Sequence, residues 1–271
     1  MADSRRPNPD HQTVGAIVMV RQPEATTKLL NMVASRSAYE VWHARYEMEG
    51  GANTPWHKMV IKHLQPSRDL IGKRVLEIGC GLGGFACWLA TQAERPAHIV
   101  AADFAVTAVQ KGSAFAVEHN VSGITWEIAD IQHIAHRDAT FDTVISCETI
   151  EHVQSPQHAL RELARVLRPG GRLLLTAPNY LGPLGMYRAY LRLRGRRFTE
   201  EGQPINNFLL LPLTRSWVAQ TGLRLQTVDA TGHYLLLPGR PPVEISAMNR
   251  PEKMMRWVAH HSLIIAEKPG G

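Results

Sequence analysis

From Arg74 onward the chain alternates short apolar runs with longer stretches whose apolar positions recur every three or four residues. Arg74 to Ile78, Ile99 to Ala102, Ile124 to Ala129, Thr143 to Ser146 and Arg172 to Thr176 are brief and rich in β-favouring residues, so they predict five strands. Strands separated by helical patterns predict a parallel sheet with helices on its faces. Between the fourth and fifth strands, Ser155 is a plausible N-cap and Pro156 sits at the first helical position. Ala159, Leu160, Leu163, Val166 and Leu167 form one apolar stripe, and Pro169-Gly170-Gly171 closes the helix. Upstream, "NTPWHKMVIKHLQP" starts with Thr54 and Pro55 and stops at Pro66, which predicts a helix; Tyr39, Trp42 and Tyr46 mark another over 36–50. Downstream, 180–207 is irregular and basic. A helix is expected around Arg215 to Thr221, then two β-like runs, Leu223 to Val228 and His261 to Ala266.

Composition narrows the class. At 271 residues, 44% hydrophobic and 20% charged, the chain suits one large α/β domain with additions. No run approaches the eighteen or so apolar residues of a membrane-spanning helix. The start, "MADSRRPNPDHQ", lacks the apolar core of a signal peptide, so residues 1–35 are expected to be a polar, disordered leader on a cytoplasmic protein. Cys80, Cys87 and Cys147 match neither a disulfide framework nor a zinc site. The net charge of +6 is unevenly spread, with Arg188, Arg192, Arg194, Arg196 and Arg197 close together.

The first strand opens into "EIGCGLGG", where Gly79, Gly81 and Gly84 make a Gly-x-Gly-x-x-Gly pattern, and Asp103 ends the second strand. Such glycines permit a tight turn and close backbone approach to a nucleotide, and an acidic group at the next strand end can accept both ribose hydroxyls. A structural strand-to-helix turn with helix-capping aspartates is the competing reading. No Walker-type lysine follows, which argues against a phosphate cradle.

Taken together, "VLEIGCGLGGFACWLA", "AADFA", "ADI", "FDTVISCETIEHV" and "ARVLRPGGRLLLTAPN" resemble, in order, the motifs of class I S-adenosylmethionine-dependent methyltransferases, over roughly residues 70–180. The resemblance implies a three-layer, Rossmann-like sandwich whose seven-stranded, mostly parallel sheet ends in an antiparallel hairpin. It implies S-adenosyl-L-methionine as methyl donor. Glu77, Gly79, Cys80 and Gly81 would surround the methionine moiety. Asp103, with Phe104 beside it, would hold the ribose, Asp130 and Ile131 the adenine, and the Cys147 backbone would face the donor. Residues 36–70 then become a helical lid, and 71–271 the methyltransferase domain with a basic lid insertion at about 180–207.

Glu148, Glu151 and His152, in "SCETIEHV", lie at the carboxyl end of the fourth strand, where open α/β sheets bind ligands. If a helical turn begins there, the two glutamates share one face with His152 adjacent and could hold Mg²⁺. Alternatively His152, with Glu148, acts as acid/base on the acceptor, or the cluster only lines the pocket and favours the helix dipole. The ubiquinone-biosynthesis O-methyltransferases resemble this chain in that cluster, in the helix start Pro55-Trp56-His57-Lys58 and in an insertion after the fifth strand. RNA-end 2'-O-methyltransferases carry a further downstream histidine that "QPINNFLLLPLTRSW" lacks, which weakens a nucleic-acid partner.

Within "NYLGPLGMYRAYLRLRGRRF", apolar residues alternate with arginines. The segment is either a lid over the acceptor or, through 184–197, a peripheral contact with anionic lipid. Trp56, His57, Tyr180 and Tyr187, with Met48 and Met186, are the expected walls of an acceptor pocket. The reaction expected is methyl transfer to a small molecule, foremost to a hydroxyl oxygen; carbon or nitrogen methylation comes next, and RNA 2'-O-methylation last.

Overall fold

Each of the five expected strands is present in the computed structural model: β1 (Arg74–Ile78), β2 (His98–Asp103), β3 (Ile124–Ile128), β4 (Phe141–Cys147) and β5 (Leu167–Pro178). The two C-terminal runs become β6 (Arg224–Thr231) and β9 (His261–Glu267), and a small separate hairpin pairs β7 (Tyr234–Leu235) with β8 (Val243–Glu244). The sheet order is β3-β2-β1-β4-β5-β9-β6. Among the described strands of this sheet β9 is the reversed one, pairing antiparallel with both β5 and β6. β5 begins earlier than expected, at Leu167. Its Pro-Gly-Gly stays in the strand through a local bend at Gly170, whose φ is 77°, because Gly170 N–H donates to the Lys268 carbonyl and Lys268 N–H donates to the Gly171 carbonyl.

The structure describes residues 24–45, 51–196, 203, 205–237, 242–245 and 255–270, with 24–33 described as backbone alone. Tyr46, Met48, Arg197, Phe198 and most of the expected leader lie outside them. The chain divides into two units, 1–34 and 35–271. The first described element, α1 (Glu24–Ala44), starts well before the boundary expected at 36. Then follow α2 (Pro55–His63), α3 (Pro66–Asp69), α4 (Gly84–Thr91), α5 (Val106–Glu118), α6 (Pro156–Val166), α7 (Pro183–Leu193) and α8 (Leu211–Gln220). Thr54 caps α2 as expected, its hydroxyl accepting from His57 N–H at 3.2 Å.

Alternate β1 side chains go to opposite faces, as a strand's twofold period requires. Leu76 and Ile78 pack with the α6 stripe and Val218 of α8, whereas Val75 packs with Met59 and Val60 of α2 and with Phe85 and Leu89 of α4. Two cores on two faces make the three-layer sandwich. A buried ion pair, Arg172 to Asp69, ties β5 to α3 at the end opposite the glycine loop. No described helix is long and apolar enough to cross a membrane.

Candidate active site

The sheet order reverses between β1 and β4: β2 and β3 lie to one side of β1, and every later strand to the other. Ligands of open α/β sheets bind beyond the carboxyl ends of strands at such a point. Here those ends carry the glycine loop and "SCETIEHV". Gly79 has φ 74°, and a Cβ on it would lie 2.2 Å from Thr149 Oγ1, so only glycine lets the two loops meet this closely. Gly81 and Gly83 also have positive φ, and Gly83 forms the N-terminal cap position of α4.

Asp103 is buried at the end of β2 and sets the loop. Its Oδ2 accepts from Gly81 N–H at 2.8 Å and its Oδ1 from Ala105 N–H at 2.9 Å. A carboxylate offers about four lone-pair sites, so each oxygen keeps acceptor capacity for a hydroxyl. Glu77 differs: it is buried at the end of β1, and its Oε2 has no hydrogen-bond partner among the described residues. Burial, then the neighbouring Asp103 charge, pushes its carboxyl up to about 8. An orphaned carboxylate oxygen beside a glycine loop suits a cationic ligand group. The residues present therefore fit the donor, whose ammonium and sulfonium are both cationic.

Asp130 holds the turn after β3, accepting from Gln132 N–H at 2.8 Å, with buried Ile131 next to it. Phe104 lies under the Arg36 guanidinium, 5.4 Å from ring centroid to carbon. Cys80 is buried; burial raises its thiol and that of Cys147, then Asp103 and Glu77 respectively raise them further, so neither is a ready nucleophile.

The metal triad expected from "SCETIEHV" is not assembled. Glu148 sits at φ 46°, in the left-handed region, and the following turn, Ile150–His152, is a short 3-10 helix. The anticipated helical face, which needs Glu148 inside the helix, is therefore broken before it starts. Glu148 turns to His261, Oε2 to Nδ1 at 3.0 Å, whereas Glu151 is fully buried with an oxygen 3.4 Å from His152 Nε2. Among the described residues no group of three His, Cys, Asp or Glu is arranged to hold a metal.

Comparison with known proteins decides what kind of domain surrounds this geometry. A family model described as a methyltransferase domain matches residues 76–175. The chain is 30% identical over 153 residues to phosphoethanolamine N-methyltransferase of Triticum aestivum, covering 54% of this chain and 28% of that one. It is 33% identical over 113 residues to the ubiquinone biosynthesis O-methyltransferase of Aeromonas salmonicida, covering 42% of this chain and 46% of that one. An S-adenosylmethionine-dependent methyltransferase of Mesorhizobium loti superposes with a TM-score of 0.56 at 16% identity, over 79% of this chain and 98% of that one. The chain thus carries a methyltransferase domain at residues 76–175. It spans less than half the length of both curated relatives.

Three of the four residues expected to wall an acceptor pocket gather. Trp56 lies 5.2 Å from His261 by ring centroids, Tyr180 lies 5.4 Å from His260, and His57 stacks on Phe85 at 4.5 Å. Tyr187 instead pairs with Tyr190 on α7. Burial pushes the His57 imidazole down to about 4 and that of His260 to about 3, so both are neutral at pH 7. A separate groove of about 330 Å³, lined by Arg215, Arg256 and Trp257 among others, contains none of the expected site residues.

Two groups of residues escaped the sequence reading. His261 starts β9, with His260 just before it, and because β9 is antiparallel, its first residue lies at the carboxyl ends of the parallel strands: His261 pairs with Pro178 and Thr231. The usable signal was the reversed final strand, which the family resemblance already implied. The second group comes from α1. Tyr39 OH donates to the His152 carbonyl at 3.3 Å, and buried His43 has its Nε2 3.9 Å from Asp103 Oδ1. Nothing in local sequence links these to the loops they touch.

Proposed function

We propose that this chain binds S-adenosyl-L-methionine and transfers its methyl group to a small-molecule acceptor, foremost to a hydroxyl oxygen. The observation that carries the reading is the partnerless, buried Oε2 of Glu77 beside a glycine loop whose backbone is fixed by Asp103. When bound, the donor supplies an electrophilic methyl on a sulfonium. Glu77 would face its cationic groups, Asp103 the ribose, Asp130 and Ile131 the adenine edge, and the Cys147 backbone the transferring end. The protein's part is to hold the two reactants in line and exclude water. Oxygen is favoured over nitrogen because a hydroxyl must shed a proton as it is methylated, and imidazole and carboxylate groups stand at this end of the sheet. The relatives named above include both an N- and an O-methyltransferase, so nitrogen is the second reading. A screen of catechols, phenols, carboxylic acids and amines, read by mass gain of one methyl group, tests it; methylation of amines alone would reverse the order.

Peripheral membrane contact is a further part of this reading. Met186, Tyr190 and Leu193 are 66%, 53% and 87% exposed and fall on one face of α7, with Arg192, Arg194 and Arg196 beside them. Arg188 does not belong to that surface: it turns inward over Tyr180 at 4.5 Å and bonds Asn206 Oδ1 at 2.7 Å. The domain division into leader, lid and methyltransferase domain is part of the proposal too, with α2 and the last turns of α1 as lid elements.

A further inference from the structure

Two imidazoles stand at the ligand end of the sheet, and their hydrogen bonds fix different roles. His152 Nδ1 lies 2.7 Å from the Ile205 carbonyl, an acceptor only, so this nitrogen carries a proton. Its Nε2 lies against the buried Glu151 carboxylate. The same turn is held by Asn207, whose side-chain amide donates to the Glu151 and Val153 carbonyls at 2.9 and 2.7 Å. His152 is thereby a strap between the loop after β4 and the 205–207 segment.

His261 is arranged otherwise. Its Nδ1 meets Glu148 Oε2, and Glu148 is ionised: burial alone would raise its carboxyl, but the charge and hydrogen bond of His261, with smaller help from His260 and Thr176, outweigh burial and lower it. An ionised carboxylate only accepts, so when the ring gives up its charge Nδ1 keeps the proton and the basic lone pair is at Nε2. Gly232 makes room for this ring: a Cβ there would lie 3.1 Å from His261 Cδ2. We infer that His261 is the general base that takes the acceptor's proton, with Glu148 as its positioning residue and Trp56 beside it. This rests on the hydroxyl-methylation reading above. The new O–C bond replaces the S–C bond that breaks, the hydroxyl proton passes to Nε2, and the positive charge leaves sulfur and ends on the imidazolium next to Glu148. Among the described residues, the charged and titratable neighbours are Glu148 from the β4 loop and His260 just before β9; Glu148 in turn acts on His57 of α2 and Cys147 of β4, and Arg188 of α7 acts on His260.

The test uses the full chain. Imidazole nitrogen NMR with S-adenosylhomocysteine bound should show His261 as the Nδ1–H tautomer, and Glu148→Gln should lower its proton affinity at least about tenfold, one pKa unit. Catechol is the activity probe. His261→Ala should lower kcat by about 100-fold or more and erase the acidic limb of its pH profile, leaving the calorimetric Kd for S-adenosylhomocysteine within about twofold. His152→Asn should keep that limb. An Nε2–H tautomer for His261, or an acidic limb that survives His261→Ala, overturns the assignment. Failure of S-adenosylhomocysteine to bind wild type would instead overturn the cofactor reading. Cofactor binding without catechol methylation would count against the hydroxyl acceptor, and the NMR result would still decide the tautomer.

Discussion

Glu40, near the end of α1, caps a helix that begins more than sixty residues later: its two carboxylate oxygens accept from Val106 N–H at 2.7 Å and Thr107 N–H at 2.8 Å. The α5 N-cap residue is Ala105, which has no side-chain acceptor of its own, so a distant helix supplies the missing oxygen. Because α5 starts just beyond Asp103, this contact couples the end of α1 to the proposed cofactor site.

Glu40→Ala should therefore cost about 1 kcal/mol, the typical worth of an N-cap. It should also weaken binding of S-adenosylhomocysteine, because the β2–α5 turn loses its brace. Urea unfolding and calorimetry of the same variant check both, and Glu40→Gln should fall between it and wild type.

Glu77 gives a pH signature. Its carboxyl is raised from an ordinary 4.5 to about 8, so between those values the folded, ligand-free protein holds a proton that the unfolded chain has lost. This group's contribution to stability therefore declines as pH rises from about 4.5 to about 8. A cationic ligand facing Glu77 reverses its preference and expels the proton. Calorimetry at pH 7 in buffers of different ionisation enthalpy should show close to one proton released on binding S-adenosylmethionine, and none with Glu77→Gln. Equal proton exchange in both proteins would count against Glu77 as the group facing the cation.

Asp229 on β6 anchors α2. It accepts from Lys62 Nζ at 2.7 Å and pairs with His63 Nε2 at 2.8 Å, while Arg256 lies 3.7 Å away. Burial pushes its carboxyl up, but the hydrogen bonds from His63, Lys62 and Ala230 N–H outweigh it and hold the group below the ordinary aspartate range. The folded value is depressed, so the stability it contributes is present above about pH 4 and is lost as pH falls through the lowered value. Asp229→Asn should destabilise at pH 7, and the difference from wild type should shrink steadily as unfolding is followed downward from pH 4.

Much of this architecture was legible in the sequence, for reasons that also explain what was not. Strands buried on both faces read as unbroken apolar runs, so β1, β2 and β4 stood out, and Pro55 and Pro156 marked helix starts because proline fits only the first turn. Glycines with Asp103 and Asp130 pointed to the donor site proposed above. Glu148 was misjudged because a non-glycine residue at positive φ is rare and leaves no local sign. His261 reaches the site through strand pairing and Glu40 through a tertiary cap, and neither contact has a sequence period.

The exposed face of α7 gives a surface prediction. Sedimentation with vesicles of mixed anionic and zwitterionic lipid should carry wild type down at low salt, and less so at high salt as screening weakens the arginines. Met186→Asp together with Leu193→Asp should abolish it. Equal sedimentation of wild type and the double variant would remove the membrane contact.

The central claim is that the glycine loop and its acidic partners hold S-adenosylmethionine. Isothermal titration of S-adenosylhomocysteine into wild type and Asp103→Ala tests it directly. The structure leads us to expect a single saturable site in wild type and at least about tenfold weaker binding, some 1.4 kcal/mol, in the variant. No binding to wild type, or equal binding to both proteins, would contradict it.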